Sequence, residues 1–358
     1  MPAVEALERR ARTLGDVSYS GAVLTALRFV AEQEITGIPN VVVDGAPNLD
    51  TVLTLSHWPG SPTPVELRDD LSAQIAFRAL AEPHRFEGIE AVTNNHFDQD
   101  GLTSAHALLN PQHALANREL LIDVARAGDF GTFRSREAAR LAMLIAALDD
   151  DALSPLPTND LAAPYPQRCG ALYEWALPRV PELLKNLQQW QNLWADEDDH
   201  LTRSLQALAD GSIQIKEHPE LDLAVVEVRK AGSAEPVHRF TRGETATVHP
   251  MAINNATDRL RVLTADGNRY SLELRYESWV MVVSRLVMPR PDLRLLAEEL
   301  NALEPTEGHW RADAPGALTP RLTMTGGTES NLSPAAVITT IRQFLATSPP
   351  AWDPFAAC

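Results

Sequence analysis

The densest group of side chains able to do chemistry is His96-x-Asp98-x-Asp100-Gly101-x-x-Ser104. An imidazole and carboxylates at such short spacing form the donor set of a hard or borderline divalent ion, such as Mn2+ or Mg2+. Gly101 lets the backbone turn sharply, and Ser104 is placed to cap the helix that follows. Read as a calcium loop of EF-hand type starting at His96, the string fails, because Ala107 falls at the twelfth position, where that loop needs Glu. A polar turn capped by aspartates is the alternative that needs no ligand.

Three further groups stand at the ends of short apolar runs. Asp44 closes Val41-Val42-Val43-Asp44-Gly45, His57 follows Thr51-Val52-Leu53-Thr54-Leu55-Ser56, and Asp129 lies in Ala127-Gly128-Asp129-Phe130-Gly131. Asp44 and Asp129 are candidate metal ligands, and His57 a candidate catalytic group. Asp129 can equally be a turn former and His57 a loop histidine. His106 is expected to face solvent or the outer side of the site, and Asp123 to be a surface acid. His238 and His249 have no acid pattern beside them and read as structural.

The elements that must position these groups alternate. Strands are expected at Val41–Gly45, Thr51–Leu55 and Ile89–Thr93, with helices at Val65–Leu80, after Gly101 through Leu109, Arg118–Ala127 and Arg136–Leu148. Strands alternating with helices argue for a parallel α/β sheet, whose ligands bind at the carboxyl ends of the strands. The segment Trp58–Pro64 holds three prolines and must be a loop. Residues 1–34 read as a helical lead-in with Val23, Leu24, Leu27 and Val30 on one stripe, and 150–171 as irregular. Pro181–Trp194 reads as an amphipathic helix with Leu184, Leu187 and Trp190 facing the core. Asp196–Asp199 is expected to be a solvated start of the next helix.

After Gly211 the pattern becomes β-rich, with strands expected at Ile213–Lys216, Leu223–Arg229, Leu260–Thr264, Arg269–Arg275 and Trp279–Val287. Asp266-Gly267 is a hairpin signal between two of them. Helices are expected at Asp292–Leu303 and Ser333–Ala346. The reading is an α/β fold with a mostly parallel sheet and flanking helices over 1–205, then an α+β domain over 210–358.

Composition narrows the function. The 358 residues carry a formal net charge of −17, unsuited to wrapping long nucleic acid, although bound cations can reverse a local field. The two cysteines, Cys169 and Cys358, can build neither a disulfide framework nor a thiolate cluster. No apolar run approaches a membrane span and no signal peptide is evident, so a cytoplasmic protein is expected. G-x-S-x-G, G-x-x-x-x-G-K-[ST] and a strand-linked G-x-G-x-x-G are all missing.

The string His96-Phe97-Asp98-Gln99-Asp100-Gly101-Leu102-Thr103-Ser104 resembles the first motif of the DHH phosphoesterase superfamily, which includes RecJ-type exonucleases, oligonucleotide hydrolases and inorganic pyrophosphatases. There a strand delivers the acids to a helix and they bind a pair of Mn2+ ions. The wider pattern VVVDG, LTLSHWPGSPTP, NNHFDQDG and ARAGDFG is similar to an uncharacterised bacterial family with no assigned function. The Asp-His-His tripeptide of the superfamily is absent, and Leu55-Ser56-His57-Trp58 could take its place if the strand order is permuted.

In the second half, Ser284-Arg285, a helix around Leu295–Leu300, and Gly308-His309 or Gly326-Gly327 follow the order of the superfamily's second domain. The resemblance therefore implies a metal-dependent phosphoesterase acting on a small nucleotide or another phosphorylated metabolite. Its ligands would be His96, Asp98, Asp100, Asp44 and Asp129, holding Mn2+ with Mg2+ as the other option. Asp98, Asp100 and His57 would be catalytic, and Arg285 (or Arg290) and His309 would touch substrate. Long nucleic acid and membranes are not expected partners, and a homodimer is open. A non-catalytic nucleotide- or metal-binding protein on the same scaffold, or a metal hydrolase of another class, are the rival readings.

Overall fold

In a computed structural model, which describes residues 27–229, 232–238, 244–305 and 309–356, two main sheets organise the chain. The first holds β1 (Arg28–Phe29), β2 (Asn40–Val43), β3 (Thr51–Leu55) and β4 (Ala91–Thr93), in the order β1-β4-β2-β3. Every pairing in it is parallel. The three successive valines of β2 are buried on both faces, as a central parallel strand requires. Helices pack around it: α1 (Ser72–Ala79), α2 (Gln99–Leu109), α3 (Pro111–Ala116), α4 (Arg118–Asp129) and α5 (Arg136–Ala147). Then come α6 (Thr158–Leu161), α7 (Tyr165–Ala176), α8 (Val180–Lys185) and α9 (Ala195–Ala209).

The second sheet begins four residues after α9. It contains β5 (Ile213–His218) and β6 (Leu223–Val228); β7 (Glu235–Pro236) and β8 (Thr245–Ala246) form a separate pair, and α10 (Pro250–Ala256) follows. The sheet continues with β9 (Arg261–Asp266) and β10 (Arg269–Leu274), then α11 (Leu293–Leu303), β11 (Trp310–Ala312), β12 (Arg321–Met324) and α12 (Pro334–Thr347). Its order is β11-β12-β10-β9-β6-β5, antiparallel except where β6 meets β9. Asp266-Gly267 does turn the β9–β10 hairpin, with Gly267 in the left-handed region at φ 59°. The architecture is therefore an α/β sheet joined to an α+β half.

The larger hydrophobic core crosses the sequence boundary between the halves. Met251, Ala252, Tyr276, Val280 and Val282 pack in the same cluster as Val43, Leu55 and Leu102. Trp279–Val287 is accordingly not a strand; it runs as irregular chain over the first sheet. Met281 N–H donates to the carbonyl of His57 at 2.8 Å, and Val283 and Ser284 N–H donate to Asp70 at 2.8 and 2.9 Å. Hydrogen bonds that would have formed a sheet ladder are spent on the first half instead.

Other expectations also change. Arg28–Phe29 is a strand beside β4 rather than helix; Val23 and Leu24 of the expected lead-in, with Gly308 and Cys358, lie outside the described residues. Val65–Leu80 is a short 3-10 turn at Val65–Leu67, an extended Arg68, and a helix only from Ser72. Within 150–171, Pro157 precedes α6 and Pro166 sits in the first turn of α7, where a missing N–H costs nothing. Pro181–Trp194 breaks at Asn186, whose φ/ψ is −121°/35°, and kinks again at Trp190, at −107°/19°, so its stripe is carried by α8 and a 3-10 segment at Leu187–Leu193. Asp196–Asp199 does open α9, but Glu197 and Asp198 are buried. Arg136 and Arg140 pair with Asp198, while His238 and His249 face Glu197.

Candidate metal centre

Three adjacent strands deliver the site. The chain leaves β2 at Asp44, β3 two residues before His57, and β4 three residues before His96, so these groups gather at one carboxyl edge of the sheet. Asp44 takes a left-handed backbone at φ 46°, uncommon for a residue with a Cβ, and its N–H is held by the Leu55 carbonyl at 2.9 Å. Gly45 follows under steric necessity, because a Cβ there would lie 2.8 Å from Asn95 Oδ1. Asp129, the last residue of α4, enters from the helical layer.

The side chains converge. Asp44, His57, Asp100 and Asp129 each offer a ligand atom within 4.8 Å of the others, and all four are buried. Asp44, His96 and Asp98 form a second such group, so Asp44 belongs to both. His57 Nε2 lies 3.4 Å from Asp44 Oδ1, 3.4 Å from Asp129 Oδ2 and 4.0 Å from Asp100 Oδ2. His96 Nε2 lies 3.2 Å from Asp44 Oδ2 and 3.0 Å from Asp98 Oδ2. His96 and Asp98 side chains are 22% and 20% exposed, which places the open side of the centre at the second group.

Each imidazole is aimed from behind. His57 Nδ1 lies 2.6 Å from the Asp70 carbonyl, and His96 Nδ1 lies 3.1 Å from Asn95 Oδ1. An oxygen acceptor there fixes the proton on Nδ1 and turns the Nε2 lone pair toward the carboxylates, the orientation of a metal-ligating histidine. Asp100 is held by the first turn of α1, accepting from Ser72 N–H at 2.7 Å and Ala73 N–H at 2.6 Å. Ser72 Oγ–H donates to Asp44 Oδ1 at 2.7 Å. Asp98 is the N-cap of α2, accepting from Gly101 N–H at 2.8 Å, so the capping expected of Ser104 falls to Asp98 instead.

The electrostatics of the cluster call for protons or a cation to offset its carboxylates. Burial raises the Asp44 carboxyl, but the His57 and His96 imidazoles overcome it and hold the group below the usual carboxylate range. Burial, then the charge of Asp44, pushes Asp100 up to about 7. Burial, then the charges of Asp100, Asp98 and Asp44, raises Asp129 well above its ordinary value. Against the opposing effect of burial, Asp44 raises His57, and Asp98 and Asp44 raise His96. Asp44 Oδ2 and His57 Nε2 are buried without a well-directed hydrogen bond. Buried charges of one sign are retained only when protonated or paired with a cation. Carboxylates, two imidazoles and no thiolate fit a pair of divalent ions of the Mn2+ or Mg2+ kind.

A family model described as a family of unknown function, DUF6687, matches residues 25–355. The chain belongs to that family. No curated protein and no solved structure matches it. The DUF6687 match takes in both sheets and every residue of the centre.

The other expected site residues of this DUF6687 chain lie elsewhere. Arg285 donates to the Asp258 carbonyl at 2.7 Å and faces Asp222 at 3.7 Å, and its contacts are not with the centre. His309 is exposed beside β11, where its carbonyl accepts from Thr325. Arg290 is 1% exposed and spends its donors on Ser278 Oγ and the Pro315, Ala317, Leu318 and Arg275 carbonyls, a structural role. His106 is buried against His113 at 2.9 Å rather than facing solvent or the site. Asp123 is buried too, accepting from Arg134 and Ser135 N–H at the start of α5.

Sequence reasoning missed Asp70, Ser72 and Asn95, which orient the ligands. Two of them act partly or wholly through the backbone, which leaves no side-chain signature. Also unforeseen was the aromatic wall near the open side, with Trp58 5.0 Å from His96 and Trp279 5.4 Å from Trp58 between ring centroids.

Proposed function

We propose that this protein is a metal-dependent phosphoesterase acting on a small phosphorylated molecule, with Mn2+ as the preferred ion. One observation carries the reading, the Asp44 carboxylate shared between two ligand groups that each end in an imidazole Nε2. A cation pair held there supplies positive charge to a developing phosphoryl oxyanion and the acidity that makes water a nucleophile near neutral pH.

The residues supply the rest. Asp44, His57, Asp100 and Asp129 would hold the inner ion, and Asp44, His96 and Asp98 the outer one. His57, expected as a catalytic group, would serve here as a ligand, because its Nε2 already faces carboxylates and its Nδ1 proton is committed to Asp70. Trp58 and Trp279 bound the approach past His96 and exclude water from one side. The acidic surface supports a small substrate over long nucleic acid, and the cysteine usage supports a cytoplasmic setting.

The test is metal analysis of protein purified with added Mn2+, with turnover of bis-p-nitrophenyl phosphate and short nucleotides. Two ions per chain and hydrolysis abolished by Asp44→Asn are expected. Metal bound without turnover of any phosphate ester would leave a binding protein, and no metal at all would end the reading.

A further inference from the structure

A cavity of about 430 Å3 lies on the second sheet, between strands β9, β10 and β12 and a roof made by β8 and the start of α10. Its volume is that of a small-molecule pocket. The opposite face of the same strands is ordinary core, where Leu263, Leu272 and Leu322 pack with Leu296 of α11 and Ile341 of α12. On the cavity face the register sets Thr264 beside Ser271 and Ser271 beside Thr323. Three hydroxyls therefore form one row across three neighbouring strands, and all three residues line the cavity. Each is half-buried, and none makes a side-chain hydrogen bond to another described residue.

Neither ordinary use of a sheet face accounts for this row. A face left to water carries polar and charged side chains in the open, and a covered face carries apolar ones. Here the hydroxyls lie under a roof, with Val248, Ile253 and Val262 closing the sides as part of one apolar cluster. The arginines nearby are already matched. Arg321 joins floor to roof, pairing with Glu273 at 2.8 Å and with Glu244 beside β8, and Arg269 faces Glu329 at 3.4 Å. Glu244, Glu273 and Asp266 line the cavity against these two arginines, so an anionic ligand is disfavoured.

We propose that this cavity binds an uncharged nucleoside along the Thr264–Ser271–Thr323 row. Each hydroxyl both donates and accepts, which suits a neutral ring whose edge alternates carbonyl, ring-nitrogen and amine groups. Neighbouring strands are about 4.8 Å apart, so the row spans about 10 Å, too long for one ring edge and matched by a base with its sugar. The apolar sides take the faces of the ring. None of the six ligand candidates of the acidic centre lines the cavity, and the proposal does not rest on the phosphoesterase reading.

Metal-depleted protein, desalted free of chelator, is titrated with adenosine, uridine, adenine and AMP, following heat of binding and melting temperature. Saturable binding of at least one nucleoside is expected, tighter than that of adenine or AMP. Ser271→Ala and Thr264→Val each remove one hydroxyl and should weaken it roughly fivefold, the effect of losing a single hydrogen bond. Asp100→Asn should leave it unchanged. Should either hydroxyl variant fail to fold, Thr323→Val removes the third member of the row and should weaken binding to the same degree. Binding of neither nucleoside, adenine or AMP bound as tightly as the better nucleoside, binding indifferent to the hydroxyl substitutions, or binding lost in Asp100→Asn would overturn the proposal.

Discussion

The carbonyl oxygen of Asp70 and the Nδ1 of His57 lie 2.6 Å apart in the buried interior. Through this bond the irregular segment after β10 reaches the acidic centre, because the Asp70 carboxylate also accepts the Val283 and Ser284 N–H groups. Asp70→Ala removes that acceptor and strands two N–H groups, at a cost of about 2 to 3 kcal/mol by chemical denaturation. The Asp70 carbonyl that braces His57 survives this substitution, so Mn2+ affinity should fall by less than the roughly 10- to 100-fold expected on losing an outer-shell partner outright. Calorimetric titration with Mn2+ reads this, and a loss of about 100-fold or more would show that the carboxylate itself belongs to the centre.

Cation binding should be linked to protons. Asp100 carries a carboxyl raised to about 7 by burial and by Asp44, so its stability contribution is whole below the ordinary carboxyl value and lost as pH rises toward 7. Metal-free protein should lose stability over that range, and Asp100→Asn should flatten the loss. A divalent ion takes the place of the proton, so Mn2+ affinity should climb from pH 5 to pH 8 with proton release, measurable in buffers of different ionisation heat.

Gly101 is fixed by close approach. A Cβ there would stand 2.4 Å from both Asn94 Nδ2 and the Tyr173 hydroxyl, while Asn94 Nδ2 donates to that hydroxyl at 2.9 Å. Gly101→Ala must displace either the buried Asn94–Tyr173 pair or the start of α2 that carries Asp98 and Asp100. Destabilisation of about 2 to 3 kcal/mol and weakened metal binding together are expected, from denaturation and metal titration.

Glu197 makes a separate pH-dependent contribution. Burial raises its carboxyl, but hydrogen bonds from His238 and His249 outweigh that and lower it to about 2. A depressed acid stabilises above its unfolded value of 4.5, and that stability drains away as pH falls toward 2, about 3 kcal/mol in all. His238, raised chiefly by Glu197, works in the opposite sense, contributing fully below 6.5 and losing its share as pH climbs past its raised value. Glu197→Gln should flatten the acid limb of the stability curve without changing Mn2+ affinity.

The alternating strands and helices of the first half were legible in the sequence because their signals are local. The valine run of β2, the Thr51–Leu55 strand and the Asp266-Gly267 turn are each decided by residues a few positions apart. The residue types of the centre were legible for the same reason, since Asp44, His57 and the His96–Asp100 string each follow a strand. Tertiary structure alone decided that six side chains spread over 86 positions share one pocket, with Asp44 between the two imidazoles. It also decided that Asp123 and Glu197 are interior groups, and that Trp279–Val287 leaves its own sheet to hold His57 and Asp70. Such outcomes follow from backbone groups and burial, which depend on what packs against a residue and not on the letters beside it.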